Sequence, residues 1–141
     1  MNDSPPITAE IRERLIAAAC AARPNAYAPY SRFMVGAALL ADDGRVYTGV
    51  NVENASYGLA VCAERNAIGA MTLAGGRRVL ALAVCTANGV TPCGACRQVL
   101  SEFAPEEGEV PVWIVDGAGD VRETTLAALL PDNFGSRHLS L

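Results

Sequence analysis

Lysine is absent from this 141-residue chain, whose eleven cations are all arginine. Schiff-base chemistry on lysine, P-loop phosphate binding and the kinase lysine drop out together, because each needs that primary amine. Histidine is nearly absent as well. With His138 alone, close to the C-terminal end, facial-triad iron sites, paired-histidine zinc proteases and most Ser/His/Asp hydrolases are hard to assemble, and His138 itself reads as a surface residue. Basic charge is also short: eleven basic against fifteen acidic residues give a net charge of -4. Binding to a phosphate backbone requires clustered cations that release counterions, so this balance speaks against a nucleic-acid partner. Apolar runs such as Val79 to Cys85 are far too short to span a bilayer. Met1 to Pro6 has neither a basic start nor an apolar stretch, which predicts no secretory signal and a cytoplasmic protein with no membrane partner.

Apolar residues are plentiful. Hydrophobic residues make up 51% and charged residues 18%, which places the chain with globular proteins rather than disordered ones. A domain near this length can hide about 70% of its extended-chain surface on folding, so residues 1–141 are expected to form a single domain with a true core. Five cysteines without an export signal suggest metal or thiol chemistry rather than a disulfide framework.

Thr8 can cap a helix whose apolar positions Ile11, Leu15, Ala18, Ala19 and Ala22 follow helical spacing, with Pro24 as its stop. Phe33 to Leu40 and Arg45 to Val52 read as strands joined across Ala41-Asp42-Asp43-Gly44, a hairpin signal. A helix is predicted from near Cys62 to Gly75-Gly76, and a fully buried strand from Val79 to Cys85. Pro92 opens another helix at about Cys93, with Val99, Leu100 and Phe103 inward, and Val110 to Val115 is strand-like. The connection Asp116 to Asp120 can turn a hairpin but is too short for a parallel crossover, so the strand at about Val121 to Thr124 should run antiparallel to its predecessor. A short helix from Leu126 to Leu130 ends the pattern before Pro131. The order α-β-β-α-β-α-β-β-α predicts an α/β fold with a mixed sheet and helices on its faces.

Two clusters carry chemistry: Cys62-Ala63-Glu64 and Pro92-Cys93-Gly94-Ala95-Cys96, each at a helix start. Cysteines three apart on a helix point to one side, so Cys93 and Cys96 can grip one ion, with Cys62 as third ligand. Helix N-termini lower thiol pKa values and favour the thiolates that zinc requires. Three protein ligands leave a fourth position for water, the mark of a catalytic site, whereas a structural site is closed by a fourth side chain. An isolated Cys93-x-x-Cys96 would read equally as a zinc knuckle or a redox pair, but a redox pair leaves Glu64 without a role. A closed site would need Cys20, Cys85 or His138. Cys20 lies among alanines and Cys85 ends a buried strand, so both are read as core-packing residues.

With these motifs in place the chain resembles the zinc-dependent cytidine deaminases, specifically the small homotetrameric kind that acts on free nucleosides. The resemblance runs through Tyr30-Ser-Arg-Phe33, Val35-Gly-Ala-Ala38, Thr48-Gly-Val-Asn-Val-Glu-Asn-Ala-Ser56, Cys62-Ala-Glu-Arg65 and Pro92-Cys-Gly-Ala-Cys-Arg-Gln98. It implies a three-layer α/β/α fold around a five-stranded sheet, one Zn²⁺ per subunit, and hydrolytic deamination of cytidine and deoxycytidine, a step of pyrimidine salvage. In the zinc deaminases as a class a glutamate that does not ligate the metal handles protons, the role implied for Glu64. The resemblance also implies substrate contacts at Phe33, Asn51, Glu53 and Ala63, the aromatic beside the pyrimidine and Asn51 and Glu53 on a ribose hydroxyl. Ala55, Tyr57 and Phe134 are implied to complete the pockets of neighbouring subunits.

Three thiolates around Zn²⁺ leave a formal charge of −1, which weakens the metal as a Lewis acid unless a cation draws charge off the sulfurs. Arg65, three residues beyond Cys62, can share its helix face and do so, and Gln98 is a second candidate. A carboxylate at the sugar disfavours a nearby phosphate, which argues for nucleosides over nucleotides. Deaminases of other small cytosine compounds share the metal motifs, but Asn51 to Ser56 fits the cytidine deaminases better. Polynucleotide editors usually carry histidine where Cys62 stands, and the acidic charge opposes that reading. A non-catalytic zinc module would have no use for Glu64.

Overall fold

The structure is a computed structural model that describes residues 6–139; most of the Met1–Pro6 stretch read above lies outside that range. Helix α1, Ala9–Ala22, starts where the Thr8 hydroxyl accepts a hydrogen bond from the Ile11 N–H, satisfying one of the free donors of the first turn. Pro24 does not end the helical path abruptly. It sits near the start of a 3-10 turn, Arg23–Asn25, where a missing N–H is tolerated.

Strands β1, Gly36–Ala41, and β2, Val46–Val50, form the expected antiparallel hairpin, with Gly44 at φ +81° in its turn. Helix α2 spans Ala63–Leu73, β3 Val79–Cys85, α3 Gly94–Glu102, β4 Pro111–Val115, β5 Val121–Thr125 and α4 Leu126–Leu129. The five strands run in the order β2-β1-β3-β4-β5. Only the β3–β4 pair is parallel, with α3 in its crossover, while β4 and β5 are antiparallel as their short connection requires. The sheet is therefore mixed, as expected.

Each face of the sheet buries its own core. On one, Leu39, Leu82, Val84, Val112 and Ile114 pack with Ala63, Ala67, Ile68 and Met71 of α2, Leu100 of α3 and Leu126 of α4. On the other, Ala38, Leu40, Ala83, Cys85, Trp113 and Val115 pack with Leu15 and Ala19 of α1. All seven residues of β3 are buried, the continuous apolar run of a strand covered on both sides. This makes three layers. At Gly49 a Cβ would collide with the Ala63 carbonyl and the backbone of Ala67, so glycine there lets α2 lie directly on β2 and fixes where its N-terminus points.

The first strand is shorter than its apolar pattern suggests. Phe33 to Val35 do not join the ladder, because the Asn51 side chain takes their backbone groups: Nδ2 donates to the Phe33 carbonyl at 2.7 Å and Oδ1 accepts from the Val35 N–H at 2.9 Å. Arg32, at φ +59°, turns the chain just before them. Among the described residues no helix is long and apolar enough to cross a membrane.

Candidate active site

Cys62 and Cys93 are the N-cap residues of α2 and α3, in extended backbone conformation, and neither spends its side chain on capping. Cys96 follows one turn into α3 and is buried. Two helix N-termini on the same face of the sheet thus bring three sulfurs together, Cys62–Cys93 at 3.8 Å and Cys93–Cys96 at 3.4 Å. All three lie within 4.8 Å of one another, and among the described residues the group contains no fourth Cys, His, Asp or Glu. Zinc at about 2.3 Å from tetrahedrally arranged thiolates sets neighbouring sulfurs about 3.8 Å apart, so this cluster fits the ion and leaves one corner free of protein ligands.

The electrostatics agree. The hydrogen bond from Cys96, helped by the Arg65 guanidinium, holds the Cys62 thiol down at about 5, against the opposing effect of burial. Cys96 is pushed up, first by that same hydrogen bond and then by burial. The cluster therefore already concentrates negative charge on Cys62 and offers it to a cation. Arg65 donates from Nη2 to the Cys62 sulfur at 3.6 Å, and its Nε is buried without a partner. That leaves the guanidinium a further N–H for sulfurs carrying more charge.

Glu64, the residue after Ala63 at the start of α2, is 3% exposed. Desolvation raises its pKa above the ordinary carboxylate value, and the nearby Cys62 charge adds to the effect, while its own backbone N–H, Cys96 and Arg65 oppose it. It lines a cavity of about 240 Å³ together with Cys62, Cys93, Ala63, Phe33 and Asn51. Val84, at the end of β3, and Thr86 form part of its wall, so the C-terminal end of the central strand opens onto the site.

Glu53 and Tyr57 face another cavity, of about 320 Å³, with Tyr30 and Ser31. Ser31 and Glu53 thus face this cavity whereas Phe33 and Asn51 line the smaller one, although residues two apart in extended chain would share a side; Arg32, at φ +59°, breaks the extended path between Ser31 and Phe33. The Glu53 carboxylate accepts hydrogen bonds from the Tyr30 and Ser31 N–H groups at 3.0 and 3.2 Å and from the Ser31 hydroxyl. Its pKa is lowered, chiefly by the Ser31 hydroxyl. Ser31 Oγ also accepts from the Phe33 N–H at 3.0 Å, so one hydroxyl joins Glu53 to the residue carrying the aromatic ring.

Ala55, Tyr57 and Phe134 do not line the 240 Å³ cavity; all three are exposed, Tyr57 by 77% and Phe134 by 56%. Gln98, considered above as a neighbour of the sulfurs, donates instead to the Phe134 carbonyl at 3.0 Å and holds the C-terminal segment. His138 is exposed, with its ring stacked on Phe134.

Three residues around the site were not singled out from sequence. Ser31 stands inside the Tyr30–Phe33 motif, and a serine two residues before a backbone N–H is a local turn signal. Thr86 is buried and its hydroxyl accepts from the N–H groups of Gly89 and Val90, shaping the loop towards Cys93. Arg97 grips the Pro92 carbonyl, the Thr91 hydroxyl and the Leu129 carbonyl at 2.7 to 2.8 Å, which ties the loop before Cys93 to α4. Sequence offers no signal for the last two, since their partners are set by packing.

Residues 9–110 match the family model described as the cytidine and deoxycytidylate deaminase zinc-binding region. The chain is 50% identical over 130 residues to the cytidine deaminase of Sporosarcina psychrophila, covering 91% of this chain and 94% of that one. It is 48% identical over 131 residues to that of Halalkalibacterium halodurans, covering 92% and 98%. The crystal structure of cytidine deaminase from Burkholderia pseudomallei superposes with a TM-score of 0.81 at 48% identity, over 91% of this chain and all of that one. The match spans both cysteine motifs and strands β1 to β3, ending just before β4, and the sulfur cluster it contains is suited to zinc. By descent as well as by site chemistry, the chain belongs to the zinc-dependent cytidine and deoxycytidylate deaminase family.

Proposed function

We propose that this protein hydrolytically deaminates cytidine and deoxycytidine to uridine and deoxyuridine, releasing ammonia, and so serves pyrimidine salvage. The observation that carries the reading is a desolvated carboxyl group, Glu64, in one small cavity with Cys62 and Cys93 of the three-sulfur cluster. Zinc, when held by Cys62, Cys93 and Cys96, supplies an activated water at neutral pH.

Glu64 accepts one proton of the attacking water and gives it to N3 of the pyrimidine, then carries the second, taken from the oxygen now bonded to C4, to the amino group, which leaves C4 as ammonia. Its raised pKa suits a group that must take a proton and give it back within one turnover. Water enters and ammonia leaves, so the net proton balance of the carboxyl group is zero. Arg65 draws charge from the Cys62 sulfur. Phe33 packs beside the pyrimidine and Ala63 lies against it, both being walls of the same cavity.

Asn51, on the wall of the 240 Å³ cavity, and Glu53, which faces the 320 Å³ one, together receive the ribose. Each keeps spare capacity: a carboxylate has about four lone-pair sites and an amide two N–H groups, more than the described bonds use. The same carboxylate disfavours a phosphorylated sugar. The chain acts as one domain over residues 1–141 and assembles as a homotetramer with shared pockets, in which Ala55, Tyr57 and Phe134 contribute to neighbouring sites. The exposure of two large aromatic side chains supports that role. Gln98 then acts by positioning Phe134. Five free cysteines suit the reducing cytoplasm.

The test is ammonia release from cytidine, deoxycytidine, cytidine monophosphate and single-stranded DNA, measured in parallel with zinc per chain. Turnover of both nucleosides with neither the nucleotide nor DNA is expected. A zinc-loaded protein inert on both nucleosides would remove the proposal.

A further inference from the structure

The other two cysteines meet on the opposite side of the sheet from the metal cluster. Cys20, on α1, and Cys85, the last residue of β3, are 65 positions apart in sequence, yet their sulfurs are 2.9 Å apart, the Cys20 thiol donating to Cys85. Both are free thiols. Their approach is built into the fold. Gly36 is the ladder partner of Cys85, and a Cβ at Gly36 would strike the backbone of Ala19 and Arg23 on either side of Cys20. The absence of that side chain lets α1 settle onto the sheet directly over Cys85.

The pair is also reachable. A cavity of about 450 Å³ is lined by Cys20, Cys85, Arg23, Asp116 and Gly117. Arg23 donates from Nε to the Met34 carbonyl at 3.0 Å, which holds its guanidinium in place at the cavity wall. One fixed cation and one carboxylate beside two thiols match a small zwitterionic thiol compound, which carries charges of both signs.

We propose that Cys20 and Cys85 form a second thiol centre, separate from the metal cluster, which small zwitterionic disulfides of the glutathione type convert reversibly into a disulfide that staples α1 to β3. Cys20, the half-buried partner, gives its proton to solvent and attacks one sulfur of the reagent, forming a mixed disulfide and releasing one glutathione thiolate. Cys85 then gives its proton to solvent and attacks the Cys20 sulfur, breaking the mixed disulfide and releasing the second glutathione. The protein is oxidised by two electrons and the reagent is reduced to two thiols. Burial first, and then the contact with Cys20, push the Cys85 thiol up to about 12, which suits the resolving rather than the attacking role. Closing the gap to about 2.05 Å needs less than about 1 Å of further approach.

The experiment incubates the zinc-loaded protein with glutathione disulfide, then maps thiols and disulfides by mass spectrometry after trapping. The expected product is two hydrogens lighter, carries a Cys20–Cys85 cross-link, keeps its zinc, melts several degrees higher because a long loop is closed, and reverts with dithiothreitol. Replacing the resolving thiol, Cys85→Ser, should stop the reaction at a stable glutathione adduct on Cys20. No reaction of either thiol in the folded protein, a lasting adduct on wild-type Cys20, or cross-linking confined to Cys62, Cys93 and Cys96 with loss of zinc would each overturn the proposal. The wild-type map decides the matter even if the variant does not fold.

Discussion

Asn51 holds Phe33 by its main chain, donating from Nδ2 to the Phe33 carbonyl at 2.7 Å while Oδ1 accepts from the Val35 N–H at 2.9 Å. The aromatic wall of the cavity is thus placed by a side chain from the end of β2, whatever further contact that side chain makes with substrate. Removing both bonds in Asn51→Ala should cost about 2 kcal/mol of stability, roughly 1 kcal/mol for each bond. It should also lower kcat/KM, because Phe33 loses its anchor. Chemical denaturation and steady-state kinetics check this, and an unchanged midpoint would show that the anchor is dispensable.

Ser31 joins Glu53 to Phe33 through one hydroxyl, donating to the carboxylate and accepting from the Phe33 N–H. In Ser31→Ala both the Glu53 carboxylate and the aromatic loosen, and KM for cytidine should rise about tenfold with kcat little changed, the size expected for a hydrogen bond to a charged group. A fall in kcat with constant KM would place Ser31 in the chemical step instead.

The same pair has a pH signature. The folded Glu53 pKa lies below its ordinary value of 4.5, first because of the Ser31 hydroxyl. The stabilisation is fully present above that ordinary value and is lost as pH falls through the lower, folded one. Ser31→Ala should move the Glu53 titration upward, towards 4.5, as followed by carboxyl-carbon NMR. A titration that stays where it was would assign the lowering to the backbone N–H groups of Tyr30 and Ser31.

Glu64→Gln keeps the shape of the side chain and loses its ability to carry a proton. The variant should retain zinc and melt near the parent temperature, since burying a neutral amide in place of a desolvated carboxyl group imposes no charge penalty. Deamination should fall by about 10²- to 10⁴-fold, the range of general acid-base contributions. Zinc analysis, thermal melting and ammonia release together test this, and substantial residual turnover would remove Glu64 from proton transfer.

Arg65→Ala deletes the donor at 3.6 Å from the Cys62 sulfur and the orphaned Nε with it. Zinc affinity or turnover should drop by about 10- to 100-fold, as for other groups bonded to metal ligands. Competition with a chromophoric chelator measures the affinity. Unchanged zinc retention together with unchanged turnover would reduce Arg65 to a surface arginine.

Much of this could be read before any coordinates, because short-range rules govern it. The Asp43-Gly44 turn, the Thr8 cap, the all-apolar Val79–Cys85 strand and the short Asp116–Asp120 connection each constrain their own neighbourhood, and all agree with the sheet order. The apolar pattern misled at Phe33 to Val35, where hydrophobicity suggested strand but a side chain sixteen positions downstream had already claimed the backbone. Nor does periodicity announce that Gln98 reaches Phe134, or that Cys20 touches Cys85.

The chain's own order of residues determined which atoms could do chemistry: three sulfurs and a carboxyl group at two helix starts, with no lysine and one remote histidine, point to a metal site. Helix spacing and cap positions are local, so they are written within a few residues. Tertiary structure alone decided that Glu64 is dry, that Glu53 and Asn51 open onto different cavities, and that two distant thiols lie in contact. Those properties depend on how closely helices lie on the sheet, which Gly36 and Gly49 permit but only the packed core enforces.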